Sequence, residues 1–242
     1  MIRTFFAVLL AVLFLLVSYL IFFVEWIIEK FDKQKKDYSC LRIVRWAIRV
    51  IFWISGTKVT VIGKENIPDE AALFVANHRG IFDIFVMYAN CDRITGFVAK
   101  KELLKIPSLR AWMRHLYCLF LDRKDIKEGM KTILQAIEYV KQGISIGIFP
   151  EGTRNTGEEL SVLPFKEGSF KIALKTGCPI VPVAINNTAD AFENHAPWIK
   201  KTHIIIEYKE PIYPKDLSKD EQKVIGATCQ QIIEETIRKN AK

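Results

Sequence analysis

The 242-residue sequence contains no Cys-x-x-Cys pair, and its five cysteines, at positions 40, 91, 118, 178 and 229, are odd in number and scattered. This argues against a zinc cluster and a secreted disulfide framework, and fits buried, reduced thiols in a reducing compartment. There is no P-loop, no repeat and no low-complexity tract, and glycine (12) and proline (9) are ordinary in number. With 50% hydrophobic and 26% charged residues, the chain is neither disordered nor fibrous and is long enough for a substantial core. Mean hydropathy is only +0.13, too low for a polytopic membrane protein. Acidic residues are the scarcer charge, 27 against 35 Lys and Arg, so the net charge is +8. That balance favours acidic partners: phosphates, nucleic acid or an anionic bilayer. Most aromatics lie in apolar runs, which disfavours nucleic acid.

The longest absence is of charge. Thr4 to Val24 is 21 residues without a charged side chain. As a helix it would be roughly 31 Å long, about one hydrocarbon core. No Ala-x-Ala cleavage signal follows, so a retained anchor is expected instead of a signal peptide. A polar turn is expected over 30–37, then a second apolar helix from Leu41 to Ser55. Its Arg42, Arg45 and Arg49 fall on one stripe beside Trp46 and Trp53, as suits a helix at the level of lipid headgroups. Length alone does not decide whether the first helix crosses the bilayer or dips into one leaflet. Lysines 33, 35 and 36 fit a cytoplasmic flank. The expected division is a membrane-anchoring two-helix motif over 1–56 and an α/β domain over 57–242.

From Thr57 onward, short apolar runs alternate with helical patterns. Strands are predicted at 58–62, 72–76, 95–99, 117–121, 144–149, 180–185 and 203–208, and helices near 81–90, 108–116, 124–141, 165–176 and 218–238. Unbroken runs such as Ile180-Val181-Pro182-Val183-Ala184-Ile185 indicate strands covered on both faces. The expected fold class is α/β, a three-layer domain with a mostly parallel or mixed central sheet flanked by helices. Ligands of such sheets bind at the carboxyl ends of the strands.

Candidate chemistry stands at several predicted strand ends. Asn77-His78-Arg79-Gly80-Ile81-Phe82-Asp83 follows the strand ending at Ala76. If His78 precedes the next helix and Asp83 reaches back from its first turn, the carboxylate would fix the imidazole tautomer and leave the other ring nitrogen as a base. Phe149-Pro150-Glu151-Gly152-Thr153-Arg154 ends another strand, with an arginine able to clamp an oxyanion bidentately. Lys100, and Lys166 in Phe165-Lys166-Glu167-Gly168, add basic groups that would converge on one phosphate, unless they are a scattered solvated set. Gly143-Ile144-Ser145-Ile146-Gly147 matches a nucleophile elbow only in letters: Ser145 would lie inside a strand, where the motif demands a strand-to-helix turn. Asn186-Asn187-Thr188 matches a glycosylation sequon that means nothing in a cytoplasmic domain. His115, His195 and His203 lack a matching context.

Together these blocks resemble the glycerolipid acyltransferase family, and closely its 1-acylglycerol-3-phosphate acyltransferases (PlsC-like). The carriers are His78-x4-Asp83; Leu119-Phe120-Leu121-Asp122-Arg123; Phe149 to Arg154 with Phe165-Lys166; and Val181-Pro182-Val183-Ala184-Ile185, in that order. The second block lacks the glycine that many members carry just upstream of position 117. The resemblance implies a membrane-bound enzyme moving an acyl group from acyl-CoA or acyl-ACP to lysophosphatidic acid, giving phosphatidic acid in phospholipid biosynthesis. It implies no cofactor beyond that co-substrate, no metal and no covalent acyl-enzyme. His78 and Asp83 would be catalytic, and Glu151, Gly152, Thr153, Arg154, Lys100, Arg123 and Lys166 would bind substrate. The expected partners are lysophosphatidic acid, the acyl donor and the lipid bilayer, with no nucleic acid. Glycerol 3-phosphate or another lysophospholipid is the alternative acceptor, and a catalytically silent membrane-surface protein is the alternative class.

Overall fold

The structure, a computed structural model, describes residues 1–121 and 125–241. Two helices, α1 (Ile2–Phe31) and α2 (Lys33–Ser55), precede β1 (Lys58–Ile62), β2 (Leu73–Ala76), α3 (Ile81–Asn90), β3 (Thr95–Lys100), α4 (Pro107–His115), β4 (Leu119–Leu121), α5 (Ile126–Lys141) and β5 (Ser145–Ile148). Then come α6 (Lys171–Thr176), β6 (Ile180–Asn186), α7 (Thr188–Ala191), β7 (His203–Tyr208), α8 (Lys219–Lys223) and α9 (Ile225–Asn240). The strands form one sheet in the order β1-β7-β6-β2-β5-β3-β4, with β6 and β7 antiparallel and every other pair parallel. The fold is the mixed α/β sheet, flanked by helices, that the apolar runs indicate.

Alternation along β2 explains the three layers. Phe74 and Ala76 pack with Phe82, Val86, Phe97 and Trp112 on one face, while Leu73 and Val75 pack with Ile146, Ile148, Ile233 and Ile237 on the other. Both faces are covered, so β2, β5 and β6 are buried at every residue. Ser145 is the first residue of β5, and its hydroxyl accepts the Ala72 N–H at 3.1 Å; its role is structural.

The helical hairpin differs from the sequence expectation in two ways. Asp32 alone separates the helices, where a longer polar turn over 30–37 is predicted. Its carboxylate accepts the Lys35 N–H at 3.0 Å and so starts α2 early. Lys36 can enter the helix because Glu29 (3.2 Å) and Asp37 (2.8 Å) pair with its buried ammonium. Second, Arg45 and Arg49 bond to the α/β domain, although Arg49 stays exposed. Each places a guanidinium nitrogen 3.4 Å from the Ala89 carbonyl in the last turn of α3, and Arg45 also pairs with Asp92 at 2.6 Å. The unpaired carbonyls and partial negative charge of that helix end draw them there. Arg42 remains exposed.

α1 is fastened to the α/β domain along its length. The Thr4 hydroxyl accepts the Ile199 N–H at 2.8 Å. Ser18, fully buried in the middle of the charge-free run, accepts the Trp112 indole N–H at 2.6 Å, between Phe14 and Phe22, whose rings pack on the same indole. The opposite face is open, with Phe5, Val8, Val12, Leu16, Leu20 and Phe23 all exposed.

Candidate active site

β2, β5 and β3 run parallel, so their carboxyl ends share one edge of the sheet, and the site is built there. Asn77 first extends the β2–β6 ladder with its side chain. Its amide N–H donates to the Ile185 carbonyl at 2.9 Å, and its amide oxygen accepts the Ile185 N–H at 2.8 Å. The next residue, His78, is thereby placed at the mouth of α3. Asp83 occupies the third position of α3 and reaches back. Its Oδ2 accepts from His78 Nδ1 (2.8 Å) and from the N–H groups of Arg79 (2.7 Å) and Gly80 (2.7 Å). An oxygen already taking two N–H bonds is an acceptor, so His78 carries its proton on Nδ1 and leaves the Nε2 lone pair available as a base. Phe149 stacks on the imidazole at 4.2 Å and 21°, fixing the plane of the ring.

Glu151 supports the same loop. Its Oε1 accepts the His78 N–H at 2.6 Å and its Oε2 the Leu163 N–H at 2.9 Å. The His78 carbonyl in turn accepts the Asn155 N–H at 2.7 Å, so both backbone polar groups of the histidine are held from the loop after β5. Burial pushes the Glu151 carboxyl above the usual carboxylate range, opposed by the two N–H bonds. Gly152 sits at φ +72°, a left-handed turn that favours glycine, and a Cβ there would lie 2.5 Å from Lys166 Nζ. Arg154 extends to Glu193, Nη1 to Oε1 at 3.1 Å, and stays 43% exposed. The structure thus gathers His78, Asp83, Glu151, Gly152, Lys166 and Arg154. Thr153 and Lys100 are exposed at the same edge, and Arg123 lies outside the described residues. Of the other histidines, His115 packs on Phe22, His203 bonds Thr60, and His195 is exposed.

A strand end carrying a tautomer-fixed histidine, with an arginine on the neighbouring strand end, suits deprotonation of a hydroxyl beside an anionic group. Residues 58–186, which hold both, match the Acyltransferase family model. The chain belongs to that family. Within it, the chain is 38% identical over 153 residues to a 1-acyl-sn-glycerol-3-phosphate acyltransferase of Borreliella burgdorferi, covering 62% of this chain and 60% of the relative. The proteins of the same description from Saccharomyces cerevisiae and Escherichia coli are each 32% identical. These matches cover 75% and 69% of this chain, and 59% and 66% of the relatives. The chain thus spans about three-fifths of the length of the first two relatives. The crystal structure of the 1-acyl-sn-glycerophosphate (LPA) acyltransferase PlsC from Thermotoga maritima superposes with a TM-score of 0.86 at 27% identity, over 99% of this chain and 95% of that one.

Two residues at this edge of the sheet escaped the sequence reading. Thr188, read only as part of a sequon, is fully buried and donates its hydroxyl to Asp83 Oδ1. Asn187, at φ 68°, makes the turn that delivers it from the end of β6. Glu193, on the same segment, accepts the Ile81 N–H at 2.8 Å. A hydroxyl just past the Val-Pro-Val strand, in a chain with His-x4-Asp, was the one available signal.

Glu151→Ala removes the acceptors of two N–H groups and opens a buried hole, and is expected to cost about 2–4 kcal/mol of stability. Because the folded pKa of Glu151 is raised, its contribution is fully present below the ordinary carboxylate range and is lost as pH rises through the raised value. The gap in Tm between wild type and variant should therefore be widest at acid pH and narrow towards neutrality. A gap that widens with pH would contradict this assignment.

Proposed function

We propose that this protein transfers a fatty acyl group from a thioester of coenzyme A or acyl carrier protein to the 2-hydroxyl of 1-acylglycerol 3-phosphate, making phosphatidic acid. The observation that carries the proposal is the buried His78–Asp83 pair with Nε2 as its available base, beside Arg154, in a member of the Acyltransferase family. His78 Nε2 takes the hydroxyl proton as the oxygen attacks the thioester carbonyl. Asp83 stabilises the imidazolium, the tetrahedral intermediate collapses, and the thiolate leaves with the proton from His78. A thioester is already activated, so a placed base and a held acceptor suffice. Arg154 takes the acceptor phosphate, with Lys166 and Lys100 adding positive charge. Glu151 holds the loop.

The hairpin supports a position in one leaflet of the cell membrane. Thr4 and Ser18 are roughly 21 Å apart along α1, and both are tied to the α/β domain. A helix held this way cannot stand across a bilayer without drawing the domain into hydrocarbon. Its open apolar face can instead sink into the acyl region while the domain stays in water. Five free, buried cysteines fit the cytoplasmic side.

The test is acyl transfer by the purified protein in detergent, with lysophosphatidic acid and glycerol 3-phosphate as acceptors and acyl-CoA and acyl-ACP as donors. Phosphatidic acid from lysophosphatidic acid is the expected product. Acylation of glycerol 3-phosphate alone would overturn the assigned acceptor while retaining the site. No transfer to either would overturn the function.

A further inference from the structure

Glu193 belongs to none of the four sequence blocks, yet it is the residue through which Arg154 touches the histidine loop. Its Oε1 accepts from both the Ile81 N–H (2.8 Å) and Arg154 (3.1 Å), and its side chain is only 18% exposed. Its Oε2 is buried with no hydrogen-bond partner among the described residues. A carboxylate free to choose would turn that oxygen to water, so the placement is kept against a cost in stability. Gly80 is the second half of the arrangement. Its backbone is fully extended (φ −163°), a conformation open to any residue, so conformational freedom is not what position 80 requires. Space is: a Cβ there would lie 2.2 Å from Glu193 Oε2 and 2.6 Å from its carboxyl carbon. The absent side chain in the middle of His78-x4-Asp83 is the room into which Glu193 fits.

We infer that Glu193 is a positioning residue for the acceptor. It anchors the exposed Arg154 guanidinium beside the first turn of α3, so that an acceptor whose phosphate is held by Arg154 presents the hydroxyl of its neighbouring glycerol carbon towards His78 Nε2. This rests on the function proposed above. The anchor is rigid because the N–H that holds it belongs to the helix that carries Asp83. An arginine left on its exposed loop would have to be ordered by each incoming substrate, weakening acceptor binding more than the chemical step.

The test is steady-state kinetics of Glu193→Ala and Glu193→Gln beside wild type, with each substrate varied in turn. Glu193→Ala is expected to raise KM for lysophosphatidic acid about tenfold, with kcat changed less than about threefold and donor KM unchanged. Glu193→Gln keeps an acceptor for the Ile81 N–H but loses the ion pair, and should fall between the two; it also covers the case in which the alanine variant fails to fold. An unchanged acceptor KM in both variants would overturn the inference. So would a lower one, which would make Glu193 a competing anion that substrate displaces, and so would a fall in kcat alone with a lowered Tm. Wild type inactive on lysophosphatidic acid would instead overturn the proposed function, so the two failures are distinguishable.

Discussion

His78→Ala is expected to lower kcat for phosphatidic acid formation by about 10²–10⁴-fold, the usual worth of a placed general base. The loop should survive the change. Glu151 and Asn155 hold the backbone N–H and C=O of residue 78, not its side chain, and Asp83 keeps the Arg79 and Gly80 N–H groups and the Thr188 hydroxyl. The measurement is kcat with saturating donor and acceptor, alongside a melting curve. Residual activity is expected because the acceptor positioning proposed for Arg154 does not pass through the imidazole. Activity within tenfold of wild type, at unchanged Tm, would remove His78 from the role of base.

Asp83→Asn should have the next largest effect, a fall of about 10²–10³ in kcat. Three N–H groups converge on Oδ2 and a hydroxyl on Oδ1. An asparagine fits this set in one orientation, with its oxygen towards the three N–H groups and its NH₂ towards Thr188, whose hydroxyl can accept as well as donate. The fold and the His78 tautomer are thus preserved, and what disappears is the negative charge that stabilises the imidazolium as the acceptor loses its proton. The expected signature is a large loss of kcat with little change in Tm. Activity within threefold of wild type would show that the charge is not used. Asp83→Ala is the poorer test, because it strands the Arg79 and Gly80 N–H groups in a buried loop.

The arrangement has a common theme: residues near the end of β6 finish a site that β2 and β5 begin. Asn77 locks to Ile185, Asp83 to Thr188, and both Ile81 and Arg154 to Glu193. The loop from Phe192 to β7 then runs to α1, where Ile199 meets Thr4. The segment that supports Arg154 is therefore continuous with the segment that touches the hairpin.

Much of this was legible in the amino-acid order. Short apolar runs marked the seven strands, and the unbroken ones among them fall on strands such as β6 that are covered on both faces and so have no polar side to show. His78 and Asp83 were legible because a five-residue spacing across a helix start brings a side chain back to the loop before it, a purely local consequence of backbone geometry. The Ser145 decoy was legible for the same local reason. What sequence left undecided were contacts between distant segments. Thr188 looked like part of a sequon and Glu193 offered no signal, because nothing in their neighbourhoods says that β6 lies beside β2. Arg45 and Arg49 formed a basic stripe whose partner, the carboxyl end of α3, is set only when α2 packs on the domain. Local periodicity and strand-end chemistry therefore determined the fold class and the His78–Asp83 pairing. The tertiary structure decided which oxygens hold them, which way the arginines point and how α1 lies, because each depends on a strand order and a docking that no single stretch of sequence encodes.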